Sequence, residues 1–495
     1  MQSVFRKFEE IYIPVKNIFE VLGYFKSILW QASKPLTIIL LILSLGGGLT
    51  LVAELWAITT LINKLIEHDP SNSNFAMTIK ILLPWVLLFI GAMLIKHSFQ
   101  AFQPYISKQL EERATSIVKD NIFKKSLKLD LRSFETEEYY NQLENAQQSI
   151  NHRFTTALES VGFLIGSIVE LIVIIAAISK SGILFAILLI AGSIPLIFLD
   201  IKASKEFVQV NYRQSPLKRH LNYWVSLSTS RNTAAELRLF GLGPYFLKKW
   251  KNLSDQLIDE LYKVRKRVAS LRVKGEIILI VLLSIIIVGT VYAGVKGTIS
   301  VGVLVASLYM LNRFEQAISQ VGGYGEALSD FYFRFQYVPK FLKSGIEEAA
   351  RGFQSPKDIK HGIVFENVSF SYPGSSRPSL ENIDLHIAAG ERIAVVGENG
   401  AGKSTLALLL LGLYQPTKGR ILIDGIDLKE INLVSWRAKA AAVFQNFVKY
   451  QLSAKDNITF GNIGVQDDEL KLKQSASLSG IMMFSVSFHM VMRRF

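Results

Sequence analysis

The sequence contains no cysteine, which excludes disulfides and thiolate metal sites. Its seven histidines show no metal-ligand spacing. Charge is scarce too: 19% of the 495 residues are Asp, Glu, Lys or Arg, against 50% hydrophobic. That balance is too apolar for a soluble protein of this length. No secretory signal is visible, because Met1–Lys34 mixes both signs of charge and lacks a continuous apolar core of the right length. The formal net charge of +14 raises nucleic acid as a partner. The basic residues lie mostly in long stretches between apolar runs, however, as membrane topology requires, so no nucleic-acid partner is expected.

Apolar runs are what the chain has in abundance. Six are candidates to cross about 30 Å of hydrocarbon, which takes about 20 residues each. They are Leu36–Leu61, Met77–Ile95, Val161–Ile178, Ile183–Leu199, Ile277–Val295 and Val301–Val321. The first contains Gly46-Gly47-Gly48, which either admits a close neighbour or loosens the helix. Glu54 and Glu170 lie inside runs, and carboxylates there mark function by default. A packed helix end or a wet cavity is the competing explanation.

The links between runs are unequal. Glu67–Phe75 has no Lys or Arg, and the next two short links carry one each, Lys180 and Lys296. The long stretches 96–160 and 200–274 are basic throughout. Basic loops stay cytoplasmic, which predicts an integral, multi-pass protein with both termini and both long loops inside. A helical hairpin of that length projects about 40 Å or more past the bilayer. At the loop tips, Phe134–Leu143 is aromatic and acidic, and Asn232–Gly241 reads as a short helix with a glycine stop. Both suit helices that dock into another domain, and ordinary solvated faces would look the same.

The domain plan is therefore an amphipathic lead-in over 1–33 lying on the inner membrane surface, a six-helix membrane domain over 34–321, a link over 322–360 and a soluble domain over 361–495. A soluble helical lead-in is the alternative for 1–33. From Gly362 the apolar period shortens to two, as in half-buried strands, at Ile363–Phe365, Val368–Tyr372 and Ile383–Ile387. Arg420–Ile423 followed by Asp424-Gly425 predicts a strand running into a tight turn.

Within that domain Gly397–Ser404 reads GENGAGKS, a full match to G-x-x-x-x-G-K-[ST]. Gly397, Gly400 and Gly402 let backbone N–H groups curl round phosphate oxygens without Cβ clashes. Glu398, Asn399 and Ala401 complete the loop. Lys403 reaches the β- and γ-phosphates, the Ser404 hydroxyl ligates Mg²⁺, and Thr405 opens a helix whose positive end faces the nucleotide. Arg392–Val396 is expected to be the buried strand before the loop, and Thr405–Gly412 the helix after it. ATP and Mg²⁺ are the implied cofactors.

Six spans followed by a phosphate-loop domain resemble a half-size ATP-binding-cassette exporter, a type-1 all-α membrane domain with an α/β nucleotide-binding domain. By that resemblance Phe370–Gly374 is the aromatic loop, with Tyr372 stacking on adenine. Ala442–Asn446 is similar to the glutamine loop, with Gln445 sensing Mg²⁺ or the attacking water. The two tip patches correspond to coupling helices, and Ala235–Gly243 is similar to the family's second cytoplasmic loop. The resemblance implies a transport ATPase of a bacterial inner membrane, working as a homodimer or heterodimer of half-transporter subunits in contact with lipid. It also implies two ATP molecules sandwiched between nucleotide domains and an outward-moving lipid, peptide or drug-like substrate.

The chain departs from the family's pattern after Gln445. Leu478-Ser-Gly480 is followed by Ile481 rather than a signature loop, no strand ends in Asp-Glu, and His489 has no strand before it. Residues 361–495 are thus expected to be an incomplete cassette, truncated before the signature and Walker B motifs, with no complete catalytic set and with exposed sheet edges that lower stability. The last fifteen residues, with Met482, Met483, Met490 and Met492, look unlike the family. Two functions stand at this point: an ATP-driven exporter subunit, or a catalytically silent membrane protein that at most binds nucleotide or pairs with a complete partner.

Overall fold

The structure, a computed structural model, describes residues 15–67, 75–150, 153–345, 352–465 and 468–479. The first fourteen residues of the lead-in, Gly480 of the Leu478-Ser-Gly480 stretch, and the apolar tail with His489 lie outside these ranges. The chain divides into two compact units, Met1–Glu348 and Ala349–Phe495.

The first unit is helical. Helix α1 spans Val15–Ala32, α2 Lys34–Glu67, α3 Phe75–Lys128, α4 Glu137–Ile150 and α5 Arg153–Ile178. Helices α6 (Ile183–Thr229), α7 (Arg231–Leu239), α8 (Gly243–Val295), α9 (Val301–Phe335) and α10 (Tyr337–Lys343) follow. Among the described residues five helices, α2, α3, α5, α6 and α8, are long and apolar enough to cross a membrane. The sixth expected run opens α9, where Asn312, Arg313, Glu315 and Gln316 interrupt its apolar character. Its Ala306, Met310, Leu311 and Phe314 are nevertheless buried against Leu51, Ile174 and Leu283. Helix α3 has 54 residues, about 80 Å of helix, so most of it extends past about 30 Å of hydrocarbon.

Close packing in this unit depends on small residues. A Cβ on Gly48 would sit 2.6 Å from the Gly166 carbonyl oxygen, and one on Gly46 would meet the Phe99 ring. Ser44 and Gly48 of α2 thus face Gly162 and Gly166 of α5, a small-xxx-small pair that lets two backbones approach. The glycine triplet does not loosen the helix: α2 runs through it unbroken.

Helix α1 buries Val21, Phe25, Ile28 and Leu29 on one stripe. Phe25 packs on Phe154, Phe331 and Phe335 with ring centroids 5.2–5.6 Å apart. Phe19, Leu22 and Trp30 remain exposed on the same helix. Residues 322–343, placed by the sequence in the link, are helical and belong to this core. Phe331, Phe335, Val338 and Phe341 supply an apolar stripe that a solvated link would not carry. In the first tip patch Tyr139 turns inward onto Phe134 and Phe341, while Tyr140 stays exposed. The second patch is α7, capped by the Ser230 hydroxyl, stopped at Gly241 (φ 60°), with Leu239 and Phe240 exposed.

Both intramembrane carboxylates are paired. Glu54 is 1% exposed and accepts from the Tyr309 hydroxyl at 2.7 Å. Glu170 accepts from Lys96 of α3 and from Arg313 of α9, so one carboxylate ties three helices together. In a low-dielectric bundle such groups persist only with partners.

The second unit holds a four-stranded antiparallel sheet in the order β2-β1-β3-β4, with β1 Ile363–Phe370, β2 Leu380–Ile387, β3 Lys418–Ile423 and β4 Ile426–Asp427. Asp424 (φ 49°) and Gly425 (φ 84°) make the expected tight turn between β3 and β4. Phe365, Val368, Phe370, Ile421 and Ile423 form the sheet's buried face, covered by Leu409, Tyr414 and Trp436. One sequence expectation fails here. Arg392–Val396 has no strand assignment, and Val396 is 88% exposed. An apolar run becomes a strand only where neighbouring strands take up its N–H and C=O groups, and among the described residues none pairs with it.

Candidate nucleotide site

Helix α11, Lys403–Leu410, begins at the phosphate loop. Gly400 and Gly402 hold φ of 86° and 84°, the left-handed region that glycine enters without penalty. At Gly402 space is also short, since a Cβ would sit 2.6 Å from the Ser379 carbonyl oxygen. The loop closes on a turn bond from Ala401 N–H to the Glu398 carbonyl at 3.2 Å. Lys403 Nζ donates to the carbonyl oxygens of Gly397 and Glu398 at 2.7 and 2.6 Å, bridging the loop's first two residues. Asn399 and Ser404 are exposed beside it. The loop therefore has the backbone shape, positive charge and hydroxyl that a Mg²⁺-bound triphosphate requires.

Thr405, the third residue of the helix, is buried, and its Oγ1 lies 3.0 Å from the Tyr372 hydroxyl. Tyr372 also packs on Phe370 and Tyr414, with centroids 4.9 and 5.4 Å away. The structure thus brings Tyr372 to the base of the phosphate-loop helix, a juxtaposition spacing does not disclose. Gln445 lies in an exposed turn, and Ala442–Phe444 before it form no regular element. Val443 is 96% exposed.

Two groups that motif reading missed hold the far end of the helix. Trp436 Nε1 donates to the Leu410 carbonyl at 2.8 Å, and Arg437 donates to those of Leu411 and Gly412 at 3.1 and 2.6 Å. Both belong to a short helix, α12, Leu433–Arg437. No motif marks them, because the contact depends on how two separate segments pack.

Electrostatics at the sheet's edge are simple. Asp424 accepts backbone N–H donation from Lys360, His361 and Gly362 at 2.7–3.1 Å. The Lys360 bond leads in holding its carboxyl below the usual carboxylate range.

Residues 37–317 match the ABC transporter transmembrane region and residues 380–488 match the ABC transporter domain. The chain belongs to the ABC transporter family. It is similar to the subtilin transport ATP-binding protein SpaT of Bacillus subtilis, 27% identical over 88% of this chain and 70% of that protein. The nisin transport ATP-binding protein NisT of Lactococcus lactis is 23% identical over 90% of this chain and 73% of its own length. An ATP-dependent lipid A-core flippase of Nitrosococcus oceani is 25% identical over 80% and 64%. Among solved structures, a bacterial Atm1-family ABC exporter with ATP bound has the same fold, with a TM-score of 0.79 at 22% identity over 93% of this chain and 79% of that one. This ABC transporter is therefore an integral membrane protein that joins a membrane unit to a transport-ATPase nucleotide domain.

Proposed function

We propose that this chain is the permease and ATP-binding half of an exporter in a bacterial inner membrane, with both termini cytoplasmic. The observation that carries the reading is the union, in one chain, of a GENGAGKS loop and membrane-crossing helices. The substrate class is amphipathic. Relatives named for subtilin, nisin and lipid A-core support a peptide or lipid.

The residues divide the task. Backbone N–H groups of Gly397–Gly402 and the Lys403 ammonium hold the phosphates. The Ser404 hydroxyl and the Gln445 side-chain oxygen hold Mg²⁺, which prefers hard oxygen ligands. Tyr372 meets the adenine. Bound ATP supplies free energy only through its different affinity for open and closed arrangements. A second half-transporter, identical or different, pairs with this one. The α7 tip and residues 134–143 serve as coupling helices, and the exposed Phe19, Leu22 and Trp30 of α1 rest on the inner leaflet.

Equilibrium binding of a fluorescent ATP analogue to the detergent-purified chain tests this. Saturable, Mg²⁺-dependent binding is expected, weakened about tenfold or more by Lys403→Met through loss of a charge-assisted contact. Absence of binding overturns the proposal. Binding without export or hydrolysis in vesicles, alone or with a complete half-transporter, supports the silent membrane protein instead.

A further inference from the structure

Helix α11 has eight residues, about two turns. A helix that short is nearly all ends: its first four N–H groups and last four C=O groups lack intrahelical partners. Its own ladder therefore does little to fix its direction. Its N-terminal end carries Lys403 and Ser404, and its C-terminal end is where the protein has placed three donors.

Those donors are arranged as a clamp. The Arg437 guanidinium spans consecutive carbonyls, Nε to Leu411 and Nη2 to Gly412, and Trp436 takes the carbonyl before them. The cation also sits at the negative end of the helix dipole. The clamp itself is anchored. Asn432 Oδ1 accepts from Val434 and Ser435 N–H at 3.0 and 3.1 Å, its own N–H donates to the Phe353 carbonyl, and Ser435 Oγ accepts from Ser355 N–H. Trp436 is buried in the sheet's core cluster. Gln445 lies further along the same segment, after a stretch from Ala440 to Phe444 with no regular element.

We infer that Arg437, backed by Trp436, is a positioning residue for nucleotide: by fixing the C-terminal end of α11 it sets the aim of Lys403 and Ser404 at the phosphates. The inference rests on the nucleotide-binding reading above. A planar fork matched to two carbonyls is a geometry that lysine does not reproduce, although lysine restores the charge.

The test measures dissociation constants and binding stoichiometry for the fluorescent ATP analogue on the full chain in detergent, in wild type, Lys403→Met, Arg437→Met, Arg437→Lys and Trp436→Phe. A purely structural role lowers the fraction of binding-competent protein and leaves the dissociation constant of that fraction alone. Positioning instead raises the constant, about three- to tenfold in Arg437→Met, the scale of one or two net hydrogen bonds. Arg437→Lys is expected to recover only part of it. Should Arg437→Met fail to fold, Arg437→Lys and Trp436→Phe carry the test, each expected to raise the constant by a smaller factor. Wild-type constants in the folded variants, with Lys403→Met still weakened, overturn this inference alone. No binding by wild type overturns the functional reading, and this inference with it.

Discussion

Tyr309 of α9 donates its hydroxyl to Glu54 Oε2 of α2 at 2.7 Å, inside the membrane unit. The other carboxylate oxygen of Glu54 is buried with no partner among the described residues. The pair couples α2 with α9 at a buried place where an unpaired polar group costs several kcal/mol. Tyr309→Phe is expected to lower stability by about 1–3 kcal/mol, read as a drop in the thermal midpoint in detergent. Glu54→Gln in that background is expected to return part of the loss, because the neutral amide is cheaper to bury. Equal midpoints for wild type and Tyr309→Phe contradict the coupling.

The α2–α5 contact gives a sharper contrast. Gly166→Leu forces a side chain into the space where Ser44 and Gly48 pass, and overpacking of that kind costs about 1–3 kcal/mol or more. Gly47→Ala on the open side of α2 meets nothing within 4 Å and is expected to be neutral. Comparable losses at both positions, measured by thermal unfolding in detergent, would refute the small-residue packing.

Tyr372 has two separable parts. Tyr372→Phe removes the bond to Thr405 and keeps the ring beside Phe370 and Tyr414. Tyr372→Ala removes both. If the ring meets adenine, analogue affinity is expected to change little in the phenylalanine variant and to fall by about 1–3 kcal/mol in the alanine variant, the worth of base–aromatic stacking. A loss of equal size in both variants assigns the residue to the Thr405 contact instead.

Asp424 predicts a pH dependence. Its folded carboxyl titrates below its usual value because Lys360, His361 and Gly362 N–H groups favour the ionised form. The contribution is therefore present above the unfolded value of about 3.9 and is lost as pH falls through the depressed folded value. Asp424→Asn keeps a residue that tolerates φ of 49° and removes the titration. The variant's midpoint is expected to fall less steeply than wild type below about pH 4; parallel curves would exclude the role.

Much of the candidate site's local geometry was legible because its signals are local. Glycines at 397, 400 and 402, a lysine at 403 and a serine at 404 need only the chain's own turn to be brought together. The Asp424-Gly425 turn was legible for the same reason. The pairing of Tyr372 with Thr405, and of Arg437 with the end of α11, joins segments separated in sequence, and no periodicity encodes it. Arg392–Val396 misled because hydrophobicity reports burial preference and says nothing of which strands supply the ladder.

Composition and local spacing by themselves determined that this chain enters lipid and carries a phosphate loop, since both follow from the solvation of single segments and the stereochemistry of a few adjacent residues. Tertiary structure alone decided that Glu170 binds Lys96 and Arg313, that Gly48 lies on Gly166, that residues 322–343 join the membrane unit, and that Trp436 and Arg437 hold the phosphate-loop helix. Such contacts depend on the directions in which whole helices leave their neighbours. Those directions come from packing of the entire unit, which no short stretch of sequence contains.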